Sequence, residues 1–177
     1  MQAPDASTVP LPPDPETRLR AGDHTALRLW LRLITCTNLI EGAVRRMLRT
    51  SFDSTLPRFD LLAQLERYPQ GLKMSELSQR LMVTGGNVTG LADQLEAEGW
   101  LTREPVPDDR RAIRLKLSPT GRRRFAEMAA GNEACVIELL DTLSREEQQE
   151  LLRLLGKLKP GLAERARRAH HTGDGKK

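Results

Sequence analysis

The polar residues in the segment 85–97 are of the types that read base pairs in double-stranded DNA. Apolar residues recur there at helical spacing and predict a helix with one buried face. These residues are Val88, Leu91, Ala92 and Leu95. The opposite face then carries Gly86, Asn87, Thr89, Gly90, Asp93 and Gln94. Asn and Gln can bond bidentately to the edge of adenine in the major groove, and Thr can contact a base, a thymine methyl group or a phosphate. We therefore predict that Asn87 and Thr89 read bases, with Gly86, Gly90 and Gln94 beside them at the DNA.

The start of this helix allows two interpretations. Thr84 is of a type that caps helix N-termini. Gly85 and Gly86 each cost about 1 kcal/mol relative to alanine inside a helix. In return, a first turn without side chains lets the free backbone amides approach a phosphate closely. The alternative is that the two glycines belong only to the turn before the helix.

A basic hairpin is predicted immediately after this helix. Residues 101–117 alternate in polarity, break at a tip that contains Pro107, and alternate again. On the second strand Ile113, Leu115 and Leu117 share one face, and Arg114 and Lys116 share the other. Arg110 and Arg111 lie at the tip, where an arginine can enter the negative potential of a minor groove. The alternative is a solvated turn with surface ion pairs worth about 0–1 kcal/mol, but its position beside the predicted reading helix favours DNA.

These side chains are positioned by a helix-turn-helix. Residues 74–99 fit two short amphipathic helices joined by a tight Val-Thr-Gly turn. A helix-turn-helix followed by a basic hairpin is a winged helix, so the predicted fold is mainly α with a small β wing.

Two helices are predicted before the winged helix and two after it. The first runs from Asp23, as N-cap, to about Arg49, and the second opens at Pro57. The second helix turns Phe59, Leu62, Leu65 and Tyr68 toward the core. After the wing, Ser118 and Pro119 begin a helix in which Asn132 could set a register. Ser144 and Glu147 form a capping box for the last helix, which Pro160 and Gly161 should bend or stop.

The first helix is apolar around most of its circumference, so other elements must pack against more than one of its faces. A chain of 177 residues has few elements of its own for this, so partner subunits are expected. Residues 1–22 hold five prolines and no apolar period, which predicts a disordered arm. We expect residues 23–165 to form one domain with extended terminal helices and a DNA-binding lobe at 55–117. Residues 166–177 are a basic tail.

Composition narrows the class of protein. Lys and Arg number 28 against 24 Asp and Glu, so the net charge of +4 alone does not indicate nucleic acid. Two cysteines and no apolar leader or lipid-facing span argue for a cytoplasmic protein without membrane contact. His24, His170 and His171 sit at the ends of the predicted domain. We expect no metal site, no cofactor and no enzyme.

From about Asp23 to Leu162 the chain resembles the MarR-type winged-helix transcriptional regulators. The resemblance rests on SELSQRL, VTGLADQLEAEGWLTR and DDRRAIRLKLSPTG, where Asp109, Arg111, Leu117 and Gly121 match the family's wing signature. Ser118 and the Gly85-Gly86 pair depart from the common pattern. The resemblance implies a homodimer paired through its N- and C-terminal helices, which makes residues 23–50 and 118–165 the dimerisation helices. It also implies that the protein, usually a repressor in this family, binds a pseudo-palindromic operator and releases it on binding a small molecule. Half-sites about 10 bp apart would fit such a dimer.

The stretch 55–90 also resembles a subgroup that controls catabolism of aromatic acids, including regulators that answer to hydroxycinnamoyl-CoA thioesters. Arg45, Arg49 and Arg58 cluster around the junction of the first two helices and could pair with a carboxylate or CoA phosphates. Trp30 could line a flat ligand. We therefore take Trp30, Arg45, Arg49 and Arg58 as effector candidates. The alternatives are a solvated basic helix end, phosphate contacts to DNA, and an aromatic side chain that is part of the core.

Two other functions stay open. Some relatives of this family sense peroxide through a cysteine in the first helix, which makes Cys36 a redox candidate. A reactive thiol needs a stabilised thiolate and solvent access, and the apolar neighbours of Cys36 favour an inert packed thiol. A winged helix can also serve as a protein interaction module.

Overall fold

The computed structural model describes residues 24–81, 85–106 and 109–173, and within these ranges it contains six helices and three strands. The helices are α1 (Thr25–Phe52), α2 (Leu56–Arg67), α3 (Met74–Leu81), α4 (Gly85–Ala97), α5 (Pro119–Leu140) and α6 (Arg145–Gly173). The strands are β1 (Leu72–Lys73), β2 (Leu101–Val106) and β3 (Asp109–Leu117). The predicted arm lies outside the described residues.

The three strands form an antiparallel sheet in the order β1-β3-β2. Leu115 of β3 is fully buried and pairs with Leu72 of β1 on one side and with Arg103 of β2 on the other. The chain enters β1 through Gly71, whose φ of +82° is in the left-handed region. A Cβ at Gly71 would lie 2.5 Å from the backbone oxygen of Leu115, so glycine is required there for two reasons. The mainly helical fold with a small wing is confirmed.

One core joins the DNA-binding lobe to the flanking helices. Its fully buried side chains come from α1, α2, α3, α4, β3 and α5, and they include Leu48, Leu61, Leu62, Leu77, Leu95, Leu115 and Met128. Phe52 at the end of α1 packs against Gly131 of α5, where a Cβ would lie 2.7 Å from the ring. The ends of α1 and α5 are therefore in close contact.

Side-chain caps explain where three helices begin. The Thr55 hydroxyl accepts from the Arg58 backbone N–H at 3.5 Å at the start of α2. The Ser118 hydroxyl accepts from the Gly121 N–H at 2.9 Å and donates to the Gly99 carbonyl at 2.7 Å. These two bonds link the start of α5 to the end of the helix-turn-helix segment. The capping box is formed: Ser144 N–H donates to Glu147 Oε2 at 2.8 Å, and the Glu147 N–H donates to the Ser144 hydroxyl at 3.3 Å.

Several local predictions need correction. Helix α1 extends to Phe52 rather than Arg49, with His24 at its N-cap position, and Asp23 lies outside the described residues. Tyr68 is 38% exposed at the end of α2 rather than in the core. Its hydroxyl instead accepts from Arg80 at 2.8 Å.

Two further corrections concern the wing and the last helix. Ile113 is 43% exposed, because it lies on β3 toward the hairpin tip and beyond the cover of the helices. Helix α6 continues through Pro160 to Gly173, into the predicted basic tail. The described side chains of α6 are exposed, so water can bond the carbonyl that Pro160 leaves without a donor.

The terminal helices present apolar side chains to solvent in the single chain. They belong to α1, α5 and α6 and include Leu27, Leu29, Trp30, Ile34, Leu39, Ile137, Leu151, Leu152, Leu155, Leu158 and Leu162. Leu33 of α1 and Leu155, Leu158 and Leu162 of α6 line a shared apolar groove. An exposed apolar surface of this extent is typical of an interface.

Candidate nucleic-acid interface

The orientation predicted for the reading helix is confirmed by α4. Val88, Ala92 and Leu95 are fully buried, and Leu91 is half-buried. Every residue of the predicted outward face is exposed, namely Gly86, Asn87, Thr89, Gly90, Asp93 and Gln94. The polar side chains predicted to read bases are therefore presented to solvent on one side of α4, and the other side of the helix packs in the core.

The two early glycines of α4 belong to the helix and not only to the turn before it. Gly85 is its first residue, and a Cβ added at Gly86 or Gly90 would meet nothing within 4 Å. The outward face near the N-terminus is therefore open, and another molecule can approach its backbone closely. Thr84 lies outside the described residues, so its capping role stays a prediction.

Helix α4 carries no lysine or arginine, and its outward acidic residue is paired with the wing. Arg103 of β2 forms an ion pair with Asp93, and its Nε lies 3.1 Å from Glu96 Oε2. The Arg103 side chain is 27% exposed, and Asp93 is 56% exposed. One wing cation thus bridges two carboxylates of the recognition helix.

The second strand of the wing, β3, carries four further cationic residues. Lys116 of β3 pairs with Glu104 of β2 at 2.7 Å, as cross-strand neighbours on one sheet face can. Arg114 Nε is buried without a hydrogen-bond partner. Arg110 and Arg111 lie in β3 next to an irregularity in the β2–β3 pairing at Val106, but their side chains are outside the described structure.

A groove of about 450 Å³ runs between α2 and α4. It is lined by Pro57, Asp60, Leu81, Gly86, Asn87, Gly90, Leu91 and Gln94. Burial raises the pKa of the Asp60 carboxyl, the negative charge of Glu41 raises this pKa further, and the positive charge of Arg45 opposes both. The recognition face is therefore also one wall of a groove that contains an acidic group.

The four effector candidates occupy different settings. Arg58 pairs with Glu98, stacks 5.0 Å above the ring of Trp100, and lines a second groove of about 270 Å³ between the lobe and α5. Arg45 pairs with Glu41 at 3.1 Å on α1. Arg49 and Trp30 are exposed, and neither of these two grooves is lined by Trp30, Arg45 or Arg49. The sequence placed Arg58 with the arginines of α1, whereas its contacts are with the start of the wing.

Three residues that interact near this site were not predicted from the sequence. Asp60, Arg103 and Trp100 each interact with a residue at least ten positions away in the chain. The regular polarity of β2 identified Arg103 as a strand residue, but only the docking of β2 on α4 reveals its carboxylate partners. The apolar flanks of Asp60 gave no signal that a groove lies beside it.

Both cysteines are free thiols. Cys36 is exposed rather than packed, because none of the helices and strands described above covers this part of α1 in the single chain. Cys135 packs against the core. Among the described residues, no group of three His, Cys, Asp or Glu side chains is placed to hold a metal ion. Across the same ranges, no helix has the length and apolarity that a membrane span requires.

Comparison with known proteins defines the class of this chain. A model of the MarR family matches residues 52–112. The transcriptional regulator PecS of Dickeya dadantii is 31% identical over an alignment of 129 positions that covers 70% of this chain and 75% of PecS. The chain therefore belongs to the MarR family of winged-helix transcriptional regulators.

Two further relatives extend the comparison. The transcriptional repressor MdtR of Bacillus subtilis is 35% identical over 98 residues, which are 55% of this chain and 63% of MdtR. Sco3205, a MarR family regulator from Streptomyces coelicolor solved in complex with DNA, superposes with a TM-score of 0.68 at 25% identity. That superposition covers 81% of this chain and 91% of Sco3205. These relatives are regulators of transcription rather than enzymes.

Proposed function

We propose that this protein is a homodimeric repressor that binds a pseudo-palindromic operator in the cytoplasm and releases it when a small aromatic molecule binds. The outward face of α4 is the observation that carries the DNA-binding part. It combines exposed Asn87, Thr89 and Gln94 with an open backbone at Gly86 and Gly90. Amide side chains there can bond adenine edges, while Arg110 and Arg111 of the wing reach a minor groove.

The exposed apolar faces of α1, α5 and α6 support the dimer. Leucines that are 39–41% exposed, such as Leu155 and Leu158, line the groove between α1 and α6. Burying one such side chain stabilises an interface by roughly 1.5–3 kcal/mol. A second copy that covers these helices would hold two recognition helices at a fixed separation, as half-sites about 10 bp apart require.

The groove between α2 and α4 supports a small-molecule response of the repressor. Its Asp60 carboxyl can accept a hydrogen bond from a hydroxyl group, and Arg45 is close enough for its charge to act on Asp60. A hydroxylated aromatic acid offers both a donor and an anion. The phosphates of its acyl-CoA thioester would have to extend out of this groove to pair with Arg49 on α1 or with Arg58 in the second groove. Trp30 remains a candidate for stacking on the aromatic ring.

Release requires only a modest coupling between effector and operator. A ligand that favours a dimer with the wrong helix spacing shifts the population away from the DNA-competent form. A coupling of about 1–3 kcal/mol changes operator affinity roughly 5- to 150-fold.

Fluorescence anisotropy with the DNA that flanks the protein's own gene tests this proposal. The titration is run at fixed salt with and without p-coumaroyl-CoA, feruloyl-CoA and the free acids. We expect tight binding that one of these compounds weakens at least 5-fold. Tight binding that none of them changes would remove the aromatic effector, and failure to bind DNA selected from a random pool would favour a protein interaction module.

A further inference from the structure

We propose that Arg103 promotes DNA binding by acting on α4, where it neutralises two carboxylates that lie beside the DNA. This inference rests on the proposed DNA-binding function. It starts from the charge of the recognition helix, which contains Asp93 and Glu96 but no lysine or arginine. Unpaired carboxylates on or beside the outward face would repel the phosphates of an approaching duplex.

Arg103 is placed to prevent this repulsion. It pairs with Asp93, and its Nε lies 3.1 Å from Glu96 Oε2 without a hydrogen bond, so the charge of one guanidinium acts on two carboxylates spaced along α4. A planar guanidinium can hold two such partners, whereas a lysine ammonium is a single point charge.

The strand register places the Arg103 side chain on the sheet face that packs against α4. Arg103 lies opposite Leu115 in the sheet, and Leu115 is fully buried. The Arg103 side chain is 27% exposed, so its stem lies partly within the packing between β2 and α4 while its charged end is paired. This packing keeps the guanidinium beside Asp93 and Glu96, so its positive charge offsets theirs on the side of α4 that the duplex would approach.

A charge-rescue series tests the proposal on DNA selected from a random pool by the unmodified protein. Arg103→Met keeps an apolar stem and removes the charge, and Asp93→Asn with Glu96→Gln removes the carboxylates. We expect Arg103→Met to weaken DNA binding at least 10-fold. Adding Asp93→Asn and Glu96→Gln to it should recover affinity to within about 3-fold of the unmodified protein. A triple variant as weak as Arg103→Met, or an Arg103→Met protein that binds normally, would overturn the proposal.

The variant Asp93→Asn/Glu96→Gln keeps the test decisive if Arg103→Met does not fold. With Arg103 released from its partners, we expect tighter binding and a steeper dependence of affinity on salt. An unchanged salt dependence would show that Arg103 acts only on stability. Failure of the unmodified protein to bind any DNA would instead refute the proposed function itself.

Discussion

Gly121 at the start of α5 lies directly against the carbonyl oxygen of Trp100, and a Cβ added there would be 2.0 Å from that oxygen. The Ser118 N–H donates to the same oxygen at 2.9 Å. The turn that ends the helix-turn-helix is therefore fixed to the helix that leaves the lobe. Any rotation of the DNA-binding lobe relative to α5 must therefore change this contact.

Gly121→Ala should therefore destabilise the protein by roughly 1–3 kcal/mol, as overpacking of a close contact does. Urea denaturation followed by circular dichroism measures this change. The control is Gly156→Ala on α6, where an added Cβ meets nothing within 4 Å and alanine should be neutral or stabilising by up to about 1 kcal/mol. Equal stability of the two variants would contradict the close contact at Trp100.

Asp60→Asn should raise the melting temperature at pH 7 and leave it almost unchanged at pH 3. Burial and Glu41 raise the pKa of the Asp60 carboxyl above its ordinary value of 3.8. The folded chain therefore holds this proton more tightly than the unfolded chain, and stability falls as pH rises from near 3.8 through the raised pKa. Thermal melts across this range, with Glu66→Gln on the same helix as control, measure the effect. A lower melting temperature for Asp60→Asn at pH 7 would mean that Asp60 makes a stabilising contact as an anion.

Leu155→Glu combined with Leu158→Glu should convert the dimer into a monomer. The double substitution removes the stabilisation that the two buried leucines give to the contact between subunits. It also places two carboxylates there, which must be desolvated when the dimer forms. Sedimentation equilibrium should give twice the chain mass of 19.9 kDa for the unmodified protein and about the mass of a single chain for the variant. Gln149→Glu, on the same helix and exposed, should stay dimeric. A monomeric unmodified protein at micromolar concentration would refute the proposed interface.

Cys36→Ser should bind the operator with the affinity of the unmodified protein. Peroxide should change the operator affinity of neither protein. The exposed thiol of Cys36 is open to oxidants in the single chain, yet reactivity also requires a stabilised thiolate. Anisotropy titrations before and after peroxide treatment compare the variant with the unmodified protein. Release of DNA by peroxide that disappears in Cys36→Ser would replace the small-molecule account with a redox switch.

Periodicity and cap chemistry were sufficient to predict most elements and the orientation of α4. Val88, Ala92 and Leu95 repeat along one helix, and Ser144 and Glu147 lie three positions apart, so both patterns depend only on local geometry. The pairings of Arg103 with Asp93 and of Arg58 with Glu98 join separate elements. They depend on docking between those elements, which no local pattern encodes.

Local patterns also gave wrong predictions of burial for residues at the edge of the fold, where a helix or strand extends beyond the core. The spacing of Tyr68 and Ile113 is that of buried residues, but each lies where its element runs beyond the core. Pro160 has the chemistry of a helix stop, but an exposed helix tolerates the lost hydrogen bond.

The affinity of Asn87→Ala for the selected operator and for single-base variants of it tests the central claim most directly. If α4 reads the operator, this substitution should cost roughly 1–3 kcal/mol and relax the preference at one base pair of each half-site. Arg111→Ala should instead weaken binding to all sequences alike and reduce the salt slope by about 1. Equal affinity of both variants and the unmodified protein for the operator would contradict DNA recognition by α4 and the wing.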